Sequence, residues 1–539
     1  MGSTRPRVGF HRREVEQQVS RDLAQVWAQE LAAAGVRRIF GVPGGGPNLD
    51  MIGAAADHGI AFTLAHGETA ACIMAGTYGL LTGSIGVAVV TRGPGFTSAL
   101  NGLAQATLDR FPLMVVSDTV SEAARPRVGH QRLDQVQAAS AIAKWSATLG
   151  TSSPELVIRH AIRIATSAPA GAVHLAFDPT STGTAVSPAE VISATSDDEV
   201  LRAHELIAAA KRPLFIVGED AARHHVTVRA ALSGLRAPIM SSYQGAGVVP
   251  STWPSWAGLY TGVKADNAVL EQADLIVGIG LDSIEPMPTP WPVNSPVVMF
   301  HTVKADVGFY GDARLIVGPY QHTLPPAGVV GDWDWEPDTG RSWAASRRAE
   351  LLIDDPGLHP LSLVTTINHR YSDTRITVDA GAHMLAVMPL WSVDEPRKVL
   401  ISNGLATMGF ALPAAIGAAL AKPAERVLAF TGDGGLGMVL SELEVLARAQ
   451  LPVTVVVFND ATLSLIKLKQ EQNQGGKDAV DYGSVDFAGI ARSMGVDSAI
   501  ATTIEEVNMA LDSVGAGPFL VDARINPDFY RHIMKAVRG

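Results

Sequence analysis

Residues 431–462 read TGDGGLGMVLSELEVLARAQLPVTVVVFNDAT, and this stretch decides the fold. The apolar residues 427–431 lead into its glycine-rich start and are typical of a β-strand. Apolar side chains then recur at helical spacing, at Leu436, Leu440, Leu443 and Ala447. Pro452 is predicted to end this helix. Residues 453–458 are apolar except for Thr454, as expected of a parallel strand buried on both faces. The stretch therefore predicts one strand–helix–strand unit.

Two carboxylates follow the two strands of this unit. Asp433 comes after the first strand and Asp460 after the second, with residues 435–458 between them. Ligands of parallel sheets bind at the carboxyl ends of the strands, so both side chains are expected in one crevice. The glycines let a phosphate approach the backbone, and carboxylates beside a phosphate suit Mg²⁺. Polar turn residues would explain Gly-Asp-Gly alone, but the Asn459-Asp460 pair after the next strand favours a phosphate and metal site.

Composition excludes several functional classes. The chain has 539 residues, 47% of them hydrophobic and 18% charged, which indicates a globular enzyme of about three domains. The net charge of −11 argues against a nucleic-acid partner. Cys72 is the only cysteine, so an internal disulfide or a zinc cluster is excluded and a cytoplasmic location is expected. Residues 399–421 carry no charge, but their glycine, proline and alanine content predicts a buried helix rather than a membrane span.

Strands alternate with helices along the whole chain, which predicts α/β domains with doubly wound parallel sheets. Small, polar segments at 182–196 and 333–342 are interpreted as linkers. The expected domains therefore cover residues 15–181, 197–335 and 351–539. The first and third share a pattern of strand, glycine turn and helix of small residues, which indicates an internal duplication.

Glu68 follows a predicted strand and begins a predicted helix in the first domain. One interpretation is an acidic residue favoured by the helix dipole. The other is a buried catalytic carboxylate. The residue alone favours the first.

Four separated motifs resemble a known family. They are FGVPGG (residues 40–45), HGETAA (66–71), SNG with TMGF (402–404 and 407–410), and the 431–462 stretch. Together they are similar to the acetolactate (acetohydroxyacid) synthase branch of thiamine-diphosphate enzymes. The resemblance covers nearly the whole chain and implies pyrimidine-binding, middle and diphosphate-binding domains, in that order.

The resemblance implies roles for residues at the matching positions. Glu68 would hydrogen-bond the pyrimidine of thiamine diphosphate and favour its reactive imino tautomer, and Met408 would bend the cofactor into a V. Mg²⁺ would be held by Asp433, Asp460 and the Thr462 carbonyl. The remaining cofactor-binding residues would be Gly45, Pro94, Ala380, Gly381, Ala382, His383, Gly404, Gly432, Gly434, Gly435, Asn459 and Leu463.

Departures from the family pattern bear on the substrate. His130-Gln131 resembles the His-Gln pair of catabolic, flavin-independent synthases, so both residues are catalytic candidates, although a loop histidine can also be merely solvated. Gly46, Lys144 and Lys469 are candidates for substrate contact, and for both lysines a plain surface role is the alternative. The turn GLDSIE (residues 280–285) does not match a flavin-contacting turn, so bound FAD is not expected.

The expected activity is carboligation or decarboxylation of a 2-oxo acid. A carbon–carbon lyase acting on a carbonyl or acyl-CoA substrate is the second reading, and a non-catalytic homologue is the third. Glu68 together with both metal carboxylates argues against the third. By family analogy the site forms between the first domain of one subunit and the third of another, which implies a homodimer or homotetramer.

Overall fold

The structure is a computed structural model that describes residues 8–122, 124–186, 194–326, 331–473 and 479–539. Among these, the described residues up to 186 form one compact unit together with Ile416–Lys422. The other described residues form a second unit. The fold is carried by three sheets of six parallel strands each. This confirms the prediction of α/β architecture with parallel sheets.

The first sheet lies in the first unit, and its strand order is β2-β1-β3-β4-β6-β5. Its strands are β1 (Arg38–Val42), β2 (Ala61–Leu64), β3 (Gly86–Val90), β4 (Leu113–Asp118), β5 (Trp145–Leu149) and β6 (Ala172–Phe177). The helices of this region are α1 (Val8–Ala33), α2 (Pro47–Asp57), α3 (Glu68–Thr82), α4 (Pro94–Leu108), α5 (Gln135–Ser140) and α6 (Pro154–Thr166).

The second sheet has the order β12-β11-β10-β7-β8-β9. Its strands are β7 (Pro213–Val217), β8 (Ile239–Ser241), β9 (Trp256–Leu259), β10 (Leu275–Ile279), β11 (Val297–His301) and β12 (Ala313–Val317). The helices here are α7 (Asp197–Ala209), α8 (Glu219–Arg223), α9 (His225–Leu232), α10 (Asn267–Leu270), α11 (Tyr320–Thr323) and α12 (Thr339–Leu351). Along β10, Val277 and Ile279 join one hydrophobic cluster and Ile276 joins another, so both faces of this sheet are covered.

The third sheet has the order β14-β13-β15-β16-β18-β17. Its strands are β13 (Arg375–Val378), β14 (Val399–Ile401), β15 (Val427–Gly432), β16 (Val453–Asn459), β17 (Asp497–Ala501) and β18 (Phe519–Arg524). The helices are α13 (Pro360–Tyr371), α14 (Met384–Leu390), α15 (Ala411–Ala421), α16 (Asp433–Gly437), α17 (Leu443–Ala449), α18 (Ser464–Asn473), α19 (Phe487–Ser493), α20 (Ile504–Asp512) and α21 (Tyr530–Arg538).

The first and third sheets have the same strand order when each is counted along its own part of the chain. The second sheet has a different order, in which the first strand of the domain lies at the centre. The shared order agrees with the internal duplication predicted from the glycine turns.

The helix predicted between β15 and β16 is not continuous. It consists of α16 and α17, which are separated by a break and a short 3₁₀ turn, and Met438 in the break is 63% exposed. The second helix ends before Pro452, because Gln450 adopts the left-handed conformation with φ 47°. The prediction of two buried strands holds, since all seven positions of β16 are buried.

The second predicted linker is partly structured. Trp335 is buried in the hydrophobic cluster of the second sheet, where its indole N–H donates to the Pro213 carbonyl at 2.9 Å. Helix α12 then begins at Thr339. The first predicted linker falls in part on residues 187–193, which lie outside the described residues. Of the helices that are described, none has the length and apolar character needed to cross a membrane.

Candidate active site

The carboxyl ends of β13, β15 and β16 form one cavity of about 230 Å³ in the second unit. These three strands are neighbours in the sheet, so the turns that follow them meet. The predicted site residues that line the cavity are Ala380, Gly381, Ala382, His383, Met408, Gly432, Asp433, Gly434, Gly435, Asp460, Thr462 and Leu463. The expectation that ligands bind at the carboxyl ends of parallel strands thus selected turns that meet in one cavity.

Glycine is required in the wall of this cavity. A Cβ on Gly435 would lie 2.3 Å from the Oδ2 atom of Asp379, and a Cβ on Gly434 would lie 2.8 Å from a methyl carbon of Leu463. Any larger residue would push these neighbours away. The glycines therefore keep the backbone of this turn within reach of a bound group.

Asp433 is held by a ring of donors. Its Oδ1 accepts from the Tyr482 hydroxyl at 2.6 Å, and its Oδ2 accepts from the Ala461 amide at 2.6 Å. Burial raises the pKa of Asp433, and these hydrogen bonds oppose the effect. The carboxylate is thereby oriented before any cation is present.

Asp460 is the second carboxylate of the cavity. Its Oδ2 accepts from the Ser464 hydroxyl at 2.5 Å, and its Oδ1 accepts from the Thr462 amide at 3.3 Å. Burial raises the pKa of Asp460 to about 7, and the negative charge of Asp433 adds to the increase. Within the described ranges no group of three or more His, Cys, Asp or Glu side chains could hold a metal ion. A cation here would therefore need oxygen ligands besides these two carboxylates.

His383 is one of the residues that line the cavity. Its ring is buried and stacks on Phe458 with the centroids 5.3 Å apart. Burial lowers the pKa of His383 to about 3, so the imidazole is neutral. Its Nε2 is buried and has no hydrogen-bond partner among the described residues. Buried polar atoms are rarely left unpaired, so this nitrogen marks a place for a ligand atom.

Met408 reaches the cavity from the turn of residues 402–409. A Cβ on Gly434 would lie 3.5 Å from the Cε of Met408, so the methionine side chain extends over this glycine. The turn is closed by a hydrogen bond from the Thr407 amide to the Ser402 hydroxyl at 3.2 Å. Ala406 and Gly409 have φ values of 55° and 74°. Met408 thus forms part of the cavity wall and is not a filler of the core.

Three predicted residues of this unit do not line the cavity. Asn459 is buried below it and donates to the Asp522 carboxylate at 2.7 Å, which fits the expected support of the turn. Gly404 belongs to the turn that carries Met408. Lys469 is exposed on α18.

Asp379 is a buried residue of this site that sequence reasoning missed. Its Oδ1 accepts from the Phe410 amide at 2.7 Å, and its Oδ2 accepts from the Thr431 hydroxyl at 2.7 Å. It therefore ties the end of β13 to the Met408 turn and to the end of β15. The sequence offers only a short run, ITVDA (residues 376–380), in which an acidic residue follows apolar ones, a pattern similar to that at Asp433. Tyr482 and Ser464 were missed as well, and they lack any such signal.

A second group of predicted residues meets in the first unit, at the carboxyl end of β3. A Cβ on Gly95 would lie 3.2 Å from the Oε1 of Glu68, and a Cβ on Gly93 would lie 2.8 Å from the Cβ of Gln131. Glu68 and Gln131 therefore approach the same glycine turn. Glu68 is also the first residue of α3, so both interpretations of its position remain compatible with its place in the fold.

The other predicted residues of the first unit lie on turns and loops. Gly45 and Gly46 are exposed in the turn before α2, where Gly46 has φ 73°. Pro94 is the first residue of α4. His130 is exposed in the loop that precedes α5, next to the half-buried Gln131.

The Lys144 ammonium donates hydrogen bonds to backbone carbonyls. Its Nζ donates to the carbonyls of Ile164, Ser167 and Pro169 at 2.5, 2.9 and 2.6 Å. A lysine ammonium has three donors, so a contact with substrate would require at least one of these bonds to break or be shared. The structure thus gives this lysine a role in holding the end of α6.

Three family models match the chain. The C-terminal TPP binding domain of thiamine pyrophosphate enzymes matches residues 379–523, the N-terminal TPP binding domain matches 21–138, and the central domain matches 200–319. The first of these models spans the turns that form the cavity, and the second spans Glu68 and the glycine turn beside it.

Whole-length relatives agree with these matches. An acetolactate synthase of Bacillus subtilis (strain 168) is 30% identical, with 92% of each chain covered. The large subunit of acetolactate synthase isozyme 3 of Escherichia coli (strain K12) is 28% identical over 88% of each chain. A catabolic acetolactate synthase of Raoultella terrigena is 28% identical over 94% of this chain and 96% of its own. The chain therefore belongs to the thiamine pyrophosphate enzymes, in the branch similar to acetolactate synthases.

Proposed function

We propose that this protein is a thiamine-diphosphate-dependent carboligase that acts on 2-oxo acids, as an acetolactate synthase does. The observation that carries the proposal is the cavity at the ends of β13, β15 and β16. It combines a glycine turn, two oriented carboxylates and the unpartnered Nε2 of neutral His383. These features fit a diphosphate with its divalent cation. Similarity to acetolactate synthases over the whole chain supports the choice of substrate class.

Different residues of the cavity hold different parts of the cofactor. Asp433, Asp460 and the Thr462 carbonyl hold Mg²⁺, which prefers oxygen ligands and retains water molecules in its shell. His383 and the glycines at 432, 434 and 435 receive the diphosphate. Leu463 and Ile466 give the cavity an apolar wall. When bound, thiamine diphosphate supplies the carbanion chemistry by which a 2-oxo acid loses CO₂ and transfers its acyl unit.

Glu68 acts on the pyrimidine end of the cofactor. Its carboxyl group would hydrogen-bond the pyrimidine ring nitrogen and so favour the imino tautomer, whose exocyclic nitrogen can accept the proton that the reacting carbon loses. Gln131 lies at the same glycine turn and, with the neighbouring His130, is suited to a substrate carbonyl or carboxylate. By analogy with the family, this glycine turn of one copy faces the cavity of another copy, so the active enzyme is a homodimer or homotetramer.

The middle domain binds no flavin in this proposal. Its sheet has the strand order of dinucleotide-binding folds, in which a ligand sits beside the ends of the two central strands, here β7 and β10. In this chain Glu285 is buried there, and a Cβ on Gly218 would lie 2.5 Å from its Oε2. A flavin nucleotide would have to displace this side chain. The purified protein should therefore show no flavin absorbance, and a bound yellow chromophore would refute this point.

A substrate panel tests the proposed activity. The purified protein is supplied with thiamine diphosphate and Mg²⁺ and offered pyruvate, longer and aromatic 2-oxo acids, or 2-hydroxyacyl-CoA thioesters. Products are identified by mass spectrometry, and the Asp433→Ala variant is the control for cofactor dependence. Acetolactate from pyruvate is the expected result. Inertness toward pyruvate together with cleavage of a thioester or 2-hydroxy ketone would replace the carboligase assignment by that of a lyase.

A further inference from the structure

The turn that carries Met408 depends on a weakly supported strand. It follows β14, which has three residues and lies at the edge of the third sheet, where it pairs with β13 alone. A short edge strand has one unpaired side and contributes few backbone hydrogen bonds. Within the third sheet, the turn is tied back by the bond from the Phe410 amide to Asp379. The start of the turn is also in contact with residues outside this sheet.

The support comes from the middle domain, at both ends of β14. Before the strand, the Arg397 guanidinium donates to the Oε1 of Glu219 at 2.7 Å. After it, the Nδ2 of Asn403 donates to the backbone carbonyl of Glu285 at 2.7 Å. Arg397 and Glu219 are 15% and 4% exposed, so this ion pair is shielded from solvent. Buried, charge-assisted contacts of this kind are stronger than surface pairs.

Glu285 and Glu219 occupy the place where a dinucleotide-type fold binds its ligand. Glu219 follows β7, and Glu285 lies in the loop after β10, which are the two central strands of the second sheet. The crevice is filled from within the chain. The Glu219 side chain meets Arg397 before the third sheet's edge strand, and the Glu285 backbone carbonyl meets Asn403 after it.

The Glu285 side chain folds the loop whose carbonyl meets Asn403. Its Oε2 accepts from the Asp282 amide at 2.8 Å and from the Glu219 amide at 3.2 Å, and its Oε1 accepts from the Ser242 hydroxyl. These bonds hold both ends of the connection between β10 and the carbonyl of Glu285. Burial raises the pKa of Glu285 to about 8, so the carboxyl is largely protonated at neutral pH and adds little charge to the crevice.

We propose that Glu285 is a positioning residue for the cofactor. By folding the loop that holds Asn403, it fixes the turn of residues 402–408 and thereby the Met408 side chain in the cavity wall. The ligand crevice of the middle domain thus acts as a brace for the diphosphate-binding domain. The inference rests on the family's cofactor and not on which 2-oxo acid is the substrate.

The test measures cofactor affinity in the absence of substrate. Thiamine diphosphate is titrated with Mg²⁺ into the full-length apo-protein, and binding is followed by calorimetry. The thermal unfolding midpoint of each apo-protein is recorded in parallel. Glu285→Ala is expected to weaken binding about tenfold, because the Asn403 partner is displaced and the turn must be ordered on binding. Glu285→Gln restores the acceptor for both amides and is expected to recover most of the affinity.

Asp266→Ala is the matched control. Asp266 is another buried carboxylate of the middle domain, and its Oδ2 accepts from the amides of Thr261 and Gly262 at 2.8 Å each. Within the part of the chain that the structure describes, the hydrogen bonds of Asp266 go to its own loop and to Arg347. Its loss should lower the unfolding midpoint and leave cofactor affinity within about twofold. Equal losses of affinity in Asp266→Ala and Glu285→Ala would overturn the proposal, since general destabilisation would explain both.

Asn403→Ala tests the same connection from its other side and leaves the Glu285 loop intact. It removes the bond to the Glu285 carbonyl and should weaken cofactor binding about threefold to tenfold. The double variant Asn403→Ala with Glu285→Ala should bind no more weakly than Glu285→Ala alone, because both changes break one connection. Unchanged affinity in Asn403→Ala, or fully additive losses in the double variant, would refute the brace.

Discussion

Removal of Asp379 should uncouple the cofactor cavity from its sheet. The carboxylate is fully buried and accepts from the Phe410 amide and the Thr431 hydroxyl, both at 2.7 Å. Asp379→Ala removes the acceptor of both hydrogen bonds, at about 1–3 kcal/mol for each bond lost, and leaves the Thr431 hydroxyl only the Gly432 carbonyl at 3.1 Å. We therefore expect a loss of about 3 kcal/mol or more in the free energy of unfolding, together with weakened binding of thiamine diphosphate.

Asp379→Asn removes the carboxylate charge and keeps a hydrogen-bond acceptor, so it isolates the effect of the charge on stability. The sign of that effect follows from the pKa of Asp379. Burial raises the pKa of Asp379 from 3.8 to about 6, so in this range the folded chain binds the proton more tightly than the unfolded chain. Ionised Asp379 therefore disfavours folding. This penalty is absent well below pH 3.8, grows as the pH rises and is complete above about 6. At 1.36 kcal/mol per pKa unit, the full penalty is about 3 kcal/mol.

Urea unfolding of the apo-proteins measures this difference. Between about pH 4.5 and about pH 7.5, Asp379→Asn should gain about 2 kcal/mol relative to the unchanged chain, because only the latter acquires the buried charge. Thr377→Val is the control: its hydroxyl is buried on the same strand and donates to the Ala411 carbonyl at 2.7 Å, but it does not titrate. A stability difference between Asp379→Asn and the unchanged chain that stays constant with pH would refute the reasoning.

Three further changes test other parts of the site. Glu68→Gln should lower turnover about a hundredfold or more and retain cofactor affinity, since proton transfer by a positioned group contributes that much. The matched change Glu155→Gln, also in the first turn of a helix, should leave turnover unchanged. Near-normal turnover of Glu68→Gln would show that Glu68 is a helix-end residue only. Asp433→Ala should abolish Mg²⁺-dependent binding of thiamine diphosphate in calorimetry, and tight binding by this variant would disprove the metal assignment. Lys144→Met should lower the thermal unfolding midpoint with little change in KM, because three hydrogen bonds to carbonyls are lost. An unchanged midpoint with a raised KM would instead identify Lys144 as a substrate ligand. Lys469→Met, at an exposed lysine, serves as the stability control.

Much of the fold could be predicted because parallel strands leave a local signature. The largely apolar run of residues 453–458 matched β16 within one residue, and Gly-Asp-Gly matched the end of β15. The break between α16 and α17 was missed. Leu436 and Leu443 are buried at helical spacing as predicted, yet the backbone between them turns so that Met438 is exposed. Spacing alone does not distinguish one helix from two short ones that bury the same face.

The sequence by itself determined the three α/β domains, the glycine turns at the strand ends and the pair Asp433 and Asp460. Apolar runs and turn residues act over a few positions, and parallel strands bring their carboxyl ends to one edge of the sheet. Only the tertiary structure decided which distant groups complete the site. Asp379 bonds to Thr431 across 52 positions, and Asn403 meets the Glu285 carbonyl across 118. Such partners depend on strand order and domain packing, and these arise from the whole chain burying its apolar faces together.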